Sequence, residues 1–288
     1  MIPGNVIKRG YLKEDFHIFH IKDKKALEFQ YHSHDFHKIV VLISGNVTYH
    51  IEEKAYMLQP GDMLLVGSTE IHKPKIDPNS VYERYVLWVY PEFLERNNTG
   101  ETNLLQCFHK AKDSQQHLIR QSTSNGEAII GLLDRMEKAV SSNEYGDDIL
   151  ARTTFIQLMV IINRLYAKAG NEKTVNCYHE TISEIISFIN NNIREELSID
   201  CISAAFFMSR YALMHKFKQE TGSTVYDYII RKRLAMARTL IRRGGPITRI
   251  SQECGFRDYS SFERAFKKNF GITPREYSKS SQMEFFDI

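Results

Sequence analysis

The sequence predicts a multi-domain α+β chain: an N-terminal β-barrel or jelly roll, following helices, and a C-terminal all-α domain holding two helix-turn-helix units. Three observations lead there. Short β-branched and aromatic runs separated by turn residues fill residues 6–90, the pattern of a closed or two-layered β fold. Long segments with helical spacing follow. Finally, the stretch from Leu197 to Tyr277 states one pattern twice, and a repeat of that length is a supersecondary unit used two times.

In the first copy Ile199 and Ile202 lie one helical turn apart, then Ser209, Leu213, Phe217, Gly222 and Tyr228 follow. In the second, Ile247 and Ile250 are followed by Asp258, Phe262, Phe266, Gly271 and Tyr277. Ser209 and Asp258 are side chains that accept from the free N–H groups of a helix's first turn. Gly222 and Gly271 suit the left-handed residue that closes a helix. Each copy therefore reads as helix, turn, helix, whose second helix enters the DNA major groove in proteins that use the motif. The spacing predicts helix-turn-helix units at about 198–221 and 247–270, joined by a helix over 225–242. That spacer contains neither Gly nor Pro and spans about 27 Å at 1.5 Å per residue. A rigid rod of that length can set two recognition helices about one DNA turn, roughly 34 Å, apart.

The second helices carry groups suited to bases and phosphates. Candidate base contacts are Arg210, Tyr211, Met214 and His215 in the first copy, and Tyr259, Ser260, Glu263 and Arg264 in the second. Candidate phosphate contacts are Ser209, Lys218, Arg257, Lys267 and Lys268. Arg264 is the best single reader, able to bridge guanine O6 and N7. Charge agrees. The 288 residues carry a formal net charge of only +3, but residues 1–180 hold 21 Lys/Arg against 23 Asp/Glu, while residues 181–288 hold 17 against 12. The basic excess sits with the repeat, as phosphate neutralisation requires.

The run Ile247-Thr248-Arg249-Ile250-Ser251-Gln252-Glu253-Cys254-Gly255-Phe256, followed by Ser261-Phe262, Phe266-Lys267, Phe270-Gly271, Thr273-Pro274 and Tyr277, resembles the DNA-binding domain of the AraC/XylS family of bacterial transcription regulators over about residues 183–280. The resemblance implies that both units read successive major-groove segments, with base-reading positions at Tyr211, Met214, His215, Ser260 and Arg264. Met214 and His215 depart from the polar or arginine residues more usual there.

Toward the N-terminus, Lys38-Ile39-Val40-Val41-Leu42-Ile43-Ser44 reads as a strand, Gly45-Asn46 as a hairpin turn, and Val81 to Tyr90 as a further strand carrying the only tryptophan, Trp88. The order His32-x-His34, Gly45, Pro60-Gly61-Asp62, His72 resembles the cupin-type sensory domain common in the same family. In metal-binding cupins a His-x-His pair, a nearby Glu and a later His hold a metal. Here Lys38 stands at the Glu position and opposes a divalent ion, so no metal and no cofactor is expected. A barrel of this size holds a small molecule. The ligand candidates are His32, His34, His37, Lys38, His72, Tyr49 and Trp88, with Tyr31 and Tyr85 as further stacking surfaces. The competing reading makes these histidines hydrogen-bonding groups of the barrel rim and the aromatics core.

Between the halves, Ile129 to Val140 and Asp147 to Ala167 have helical spacing, the latter apolar around most of its girth. Such a helix needs burial on two sides, against the barrel and against either a neighbouring helix or a second copy of the chain. Domain limits follow: 1–95 sensory and ligand-binding, 96–170 helical and dimerising, 171–180 a linker, 181–288 DNA-binding. The scattered Cys107, Cys177, Cys201 and Cys254 fit neither a zinc site nor a disulfide framework. No apolar leader or membrane span is evident, so the expected location is the cytoplasm.

The function expected is a sequence-specific transcription regulator, an activator, answering a small molecule in the barrel. It is not an enzyme. Its partners are double-stranded DNA, the effector, RNA polymerase and a second protomer, with no membrane. Two alternatives stay open: a cupin metalloenzyme with a DNA-binding tail, and a ligand-independent regulator whose barrel is only a scaffold.

Overall fold

The structure, a computed structural model, describes residues 12, 14–23, 29, 31–120, 123–142, 144–169 and 175–283. Residues 170–174, central to the expected linker, lie outside the described residues. Two antiparallel sheets face each other in the N-terminal half. One holds β1 (Phe16–Asp23), β7 (Tyr82–Val89), β2 (His37–Ser44), β5 (Met63–Val66) and β8 (Leu118–Ile119), side by side in that order. The other runs β6 (His72–Ile76), β3 (Val47–Ile51), β4 (Lys54–Leu58), β9 (Val175–Asn176).

The larger sheet is covered on both faces, which is why Ile39-Val40-Val41-Leu42 reads as an unbroken apolar run rather than an alternating one. Val40, Leu42, Leu64 and Val66 point between the sheets to meet Val47, Tyr49, Ile51, Tyr56 and Leu58. Ile39, Val41, Leu65, Tyr85 and Leu87 point outward, under helices. Those helices are α1 (Pro91–Arg96), α2 (Gln106–Ser114), α3 (Thr123–Ser141) and α4 (Asp147–Lys168). From α3 and α4, Leu133, Met136, Phe155 and Met159 complete this core. One side of α4 is thus buried within the chain, while Ile149 and Leu150 near its start stay exposed.

β6 contains Pro74. Proline cannot donate to a sheet ladder, and β6 accordingly occupies an edge. β9 comes from the segment joining the two halves and pairs with β4, so that segment carries a short strand.

The C-terminal half is helical: α5 (Glu180–Asn191), α6 (Ile199–Ala205), α7 (Arg210–Thr221), α8 (Val225–Arg242), α9 (Ile247–Glu253), α10 (Tyr259–Phe270) and α11 (Pro274–Met283). Ser209 accepts from the Ala212 N–H and Asp258 from the Ser261 N–H, capping α7 and α10. Gly222 and Gly271 close the same helices in left-handed geometry, at φ 71° and 78°. Leu213 and Phe217 pack with Ile202, Val225 and Tyr228, and Phe262 and Phe266 with Ile250, Leu234 and Tyr277. α8 serves both units, touching α7 on one side and α9, α10 and α11 on the other. The helix over 274–283, not anticipated from the sequence, starts at a Thr273 whose N–H and hydroxyl both bond Glu276.

Candidate nucleic-acid interface and effector site

With Leu213 and Phe217 buried, the helical period turns Tyr211, Met214, His215 and Lys218 toward solvent, and all four are exposed. On α10, Ser260, Arg264, Lys267 and Lys268 are exposed, with Tyr259 and Glu263 half-buried. Both outward faces are therefore open to a partner. Arg210, at the first turn of α7, pairs with Asp200 of α6. The Arg264 guanidinium leans back along its own helix, with Nε 3.3 Å from the Ser260 carbonyl oxygen. Its Nη2 lies 3.5 Å from the Ser261 hydroxyl, and among the described residues it forms no close ion pair, the Asp258 carboxylate acting on it only at longer range. Ser209 uses its hydroxyl oxygen as the α7 cap and keeps an O–H to donate. Arg257 is exposed in the turn before α10.

The second site lies at the end of the sheet pair nearest the helical half. His32 and His72 bond each other's backbones, at 3.1 and 2.9 Å. The rings of His32, His34 and His72 lie 4.4, 4.9 and 5.2 Å apart between centres. The His72 Nδ1–H donates to the Glu70 carbonyl, at 3.0 Å. That fixes the tautomer and leaves the Nε2 lone pair free. His72 Nε2, His34 Nδ1 and Trp88 Nε1 are buried and have no hydrogen-bond partner. Burial first, then the neighbouring imidazoles and the Lys38 ammonium, hold His34 and His72 well below the ordinary imidazole range. Lys38 points between the sheets, its ammonium 5.6 Å from the centre of the Tyr49 ring. Trp88 sits directly opposite Lys38 on β7.

Two candidates do not join this group. His37 precedes Lys38 on a strand, so it points to the opposite face. There it stacks on Phe108 at 4.1 Å and accepts from the Ser68 N–H. Tyr85 likewise faces the helices and donates to Asp134. Tyr49 is buried, with its hydroxyl 3.2 Å from that of Tyr82, and forms the floor beneath Lys38. The space between the sheets is filled by side chains, so a ligand here contacts the mouth rather than a deep cavity.

Sequence reasoning missed the contacts between the halves. Asp35, next to His34, receives Arg238 Nη2 at 2.7 Å and the Tyr277 hydroxyl. Glu52, at the β3–β4 hairpin, receives Lys232 Nζ at 2.6 Å, the Tyr228 hydroxyl at 2.5 Å and Asn190 Nδ2 at 3.1 Å. Burial alone would raise the Glu52 carboxyl, but the Lys232 ammonium and these hydrogen bonds outweigh it and hold the group below its ordinary value. Farther along α8, the Arg242 guanidinium lies 3.1 Å from the Tyr90 ring centre, and Arg243 bonds Glu95 at 2.6 Å. The spacer between the two helix-turn-helix units is thus clamped to the N-terminal domain at three places.

Residues 18–159 match the family model described as an AraC-like ligand binding domain, and residues 202–280 match a helix-turn-helix domain model. The chain belongs to the AraC/XylS family of transcription regulators. Among family proteins it is similar to the HTH-type transcriptional activator RhaS of Enterobacter sp. (strain 638), 27% identical over 252 residues covering 86% of this chain and 87% of that one. It is also similar to the probable transcriptional regulator LumQ of Photobacterium leiognathi, 23% identical over 248 residues, covering 86% and 91%. Among solved structures it resembles unsaturated fatty acid-bound ToxT from Vibrio cholerae, at 18% identity, TM-score 0.37 and coverage of 91% of this chain and 94% of that one. A DNA-bound AdpA domain aligns at 21% identity, TM-score 0.35, covering 36% and 96%. Among the described residues of this AraC/XylS chain, no helix is long and apolar enough to cross a membrane.

Proposed function

We propose that this regulator activates transcription by laying α7 and α10 into neighbouring major-groove segments of one duplex, with its N-terminal domain as the effector-sensing unit. The observation that carries the DNA-binding half is the pair of open outward faces on α7 and α10, held by one continuous helix, α8, that packs against both units. Lys218, Arg257, Lys267 and Lys268 supply phosphate contacts and Arg264 a guanine contact. The activator assignment follows RhaS, which carries that description. RNA polymerase and a second protomer are the protein partners this reading requires. Replacing Arg264 with Ala should cost about 1–3 kcal/mol of affinity and relax discrimination at one base pair. A titration on the selected operator in which that variant binds and discriminates as the parent does would remove Arg264 from the readout.

The effector site in this reading is the mouth formed by His32, His34, His72, Lys38 and Trp88. Buried polar atoms without partners are uncommon in native proteins, and three of them converge here. An anionic small molecule suits the Lys38 ammonium and the unpartnered Trp88 indole N–H. The site adjoins the Asp35 clamp, so a ligand that prefers one arrangement of the halves shifts the balance between arrangements by that preference and no more.

A second effector, a divalent cation, is favoured by one observation. A metal about 2.0–2.1 Å from each of three imidazole nitrogens sets ring centres roughly 4.5–5.3 Å apart at bond angles of 90–109°. The three observed separations, 4.4 to 5.2 Å, fall close to that range. His32, His34 and His72 would hold the ion, which would supply a positive centre able to bind an anionic group. Equilibrium dialysis of the full-length protein against Zn²⁺, Co²⁺ or Ni²⁺ should then give one equivalent bound in the parent and none in His72→Ala. Equal, substoichiometric binding in both would leave the anionic molecule as the effector.

A further inference from the structure

The two repeats present unlike chemistry at equivalent places. Each recognition helix buries the same pair of positions, Leu213 and Phe217 in α7, Phe262 and Phe266 in α10. Counted from those anchors, Tyr211, Met214 and His215 stand where α10 has Ser260, Glu263 and Arg264. The α10 set is a hydroxyl, a carboxylate and a guanidinium, each able to hydrogen-bond a base edge. The α7 set instead offers a thioether and two ring faces beside one phenol O–H and one imidazole. Tyr211 is 75% exposed and Met214 46% exposed, while the Tyr211 ring stacks beside His215 with centres 5.8 Å apart and planes 20° from parallel. Exposed cations flank this apolar surface on the same helix, Lys216 and Lys218, so it is continuous with the phosphate-contacting face and not a separate patch.

The floor of the major groove offers one apolar group, the C5-methyl of thymine. A thioether on a flexible chain and the face of an aromatic ring are weak partners for a carbonyl or an amino group, but they close well over a methyl. We infer that α7 recognises thymine methyl groups through Met214 and the Tyr211 ring, whereas α10 recognises hydrogen-bonding base edges through Arg264 and Glu263. The operator is then asymmetric along one protomer: thymine under α7, and a guanine-containing segment about one turn away under α10. This rests on the DNA-binding reading above and adds which base the first unit selects.

The test begins with selection of bound duplexes from random DNA by the full-length protein. The selected site is then titrated with each thymine of the α7 segment replaced by deoxyuridine, which removes only the methyl. Each contacted methyl should weaken binding about fourfold, the equivalent of roughly 0.8 kcal/mol per buried carbon. The same replacement under α10 should leave affinity unchanged. Met214→Ala should lose a similar factor on the thymine site and then show no further loss with deoxyuridine at the one thymine that Met214 covers, while a methyl under the Tyr211 ring keeps its effect. A selected site without thymine under α7, or parent protein indifferent to the missing methyls, overturns the inference while leaving the DNA-binding reading intact. Failure to select any sequence overturns both.

Discussion

Replacing Asp35 with Ala should destabilise the full-length protein by about 3–5 kcal/mol, the cost of leaving one member of a buried ion pair without its partner. The Asp35 side chain is fully buried and Arg238 nearly so, at 0% and 7% exposure. Arg238 is enclosed by the rings of Phe270 and Tyr277, at 4.8 and 5.5 Å, surroundings that cannot replace a carboxylate. The Tyr277 hydroxyl loses its acceptor in the same step. Because the carboxylate belongs to the N-terminal domain and the guanidinium to α8, the loss falls on the seam between domains. Denaturant unfolding should show the decrease, and the paired variant Asp35→Leu with Arg238→Met should recover most of it, since apolar residues of similar volume replace buried ion pairs at little cost. A decrease below about 1 kcal/mol for Asp35→Ala would mean that the pair is not buried as described.

The second large effect is a loss of stability in mild acid. Burial, followed by the charges of His109, Arg243 and Lys112, pushes the His37 imidazole down to about 3. In the unfolded chain the same group titrates near 6.5. The unfolded state therefore takes up the proton first, and stability present above about pH 6.5 falls as the pH drops through and below it. The slope is about 1.4 kcal/mol per pH unit for one such group until the folded-state value is reached. His34 and His72 are shifted in the same direction and add to it. Glu52 enters only later, when the pH falls through its own lowered value. Unfolding free energies measured at pH 7.5, 6.5, 5.5 and 4.5 should decline below pH 6.5. His37→Phe, which keeps the stacking surface on Phe108, should remove one group's share of the slope. A flat profile from pH 7.5 to 4.5 would show that His37 is accessible to protons in the folded protein.

Legibility in the sequence followed locality. The caps Ser209 and Asp258, the closing Gly222 and Gly271, and the anchors Leu213, Phe217, Phe262 and Phe266 act within a few residues of themselves, so spacing alone located both helix-turn-helix units. The direction of His37 was also available: β2 alternates, and a lysine facing inward at 38 turns its neighbour outward. The edge strand through Pro74 was not, because proline argues against a strand wherever its edge position is unknown. Least accessible were the clamps between domains. Tyr228 and Tyr277 are equivalent positions of the repeat, and each donates its hydroxyl to a carboxylate of the other domain, the largely covered Glu52 and the buried Asp35. The cations Lys232 and Arg238 sit on α8 like ordinary charges of a solvated helix, and nothing local marks them as buried. Their partners lie 180 and 203 residues away, beyond the reach of any periodicity.

Hydroxyl-radical footprinting of the full-length protein on its selected operator tests the account most directly. Two protected stretches on one face of the duplex, about 10–10.5 base pairs apart, are the predicted result, with Arg264→Ala weakening one and Met214→Ala the other. A single protected stretch of half a turn, or protection lost from both stretches together in either variant, would contradict the placement of α7 and α10 in neighbouring grooves.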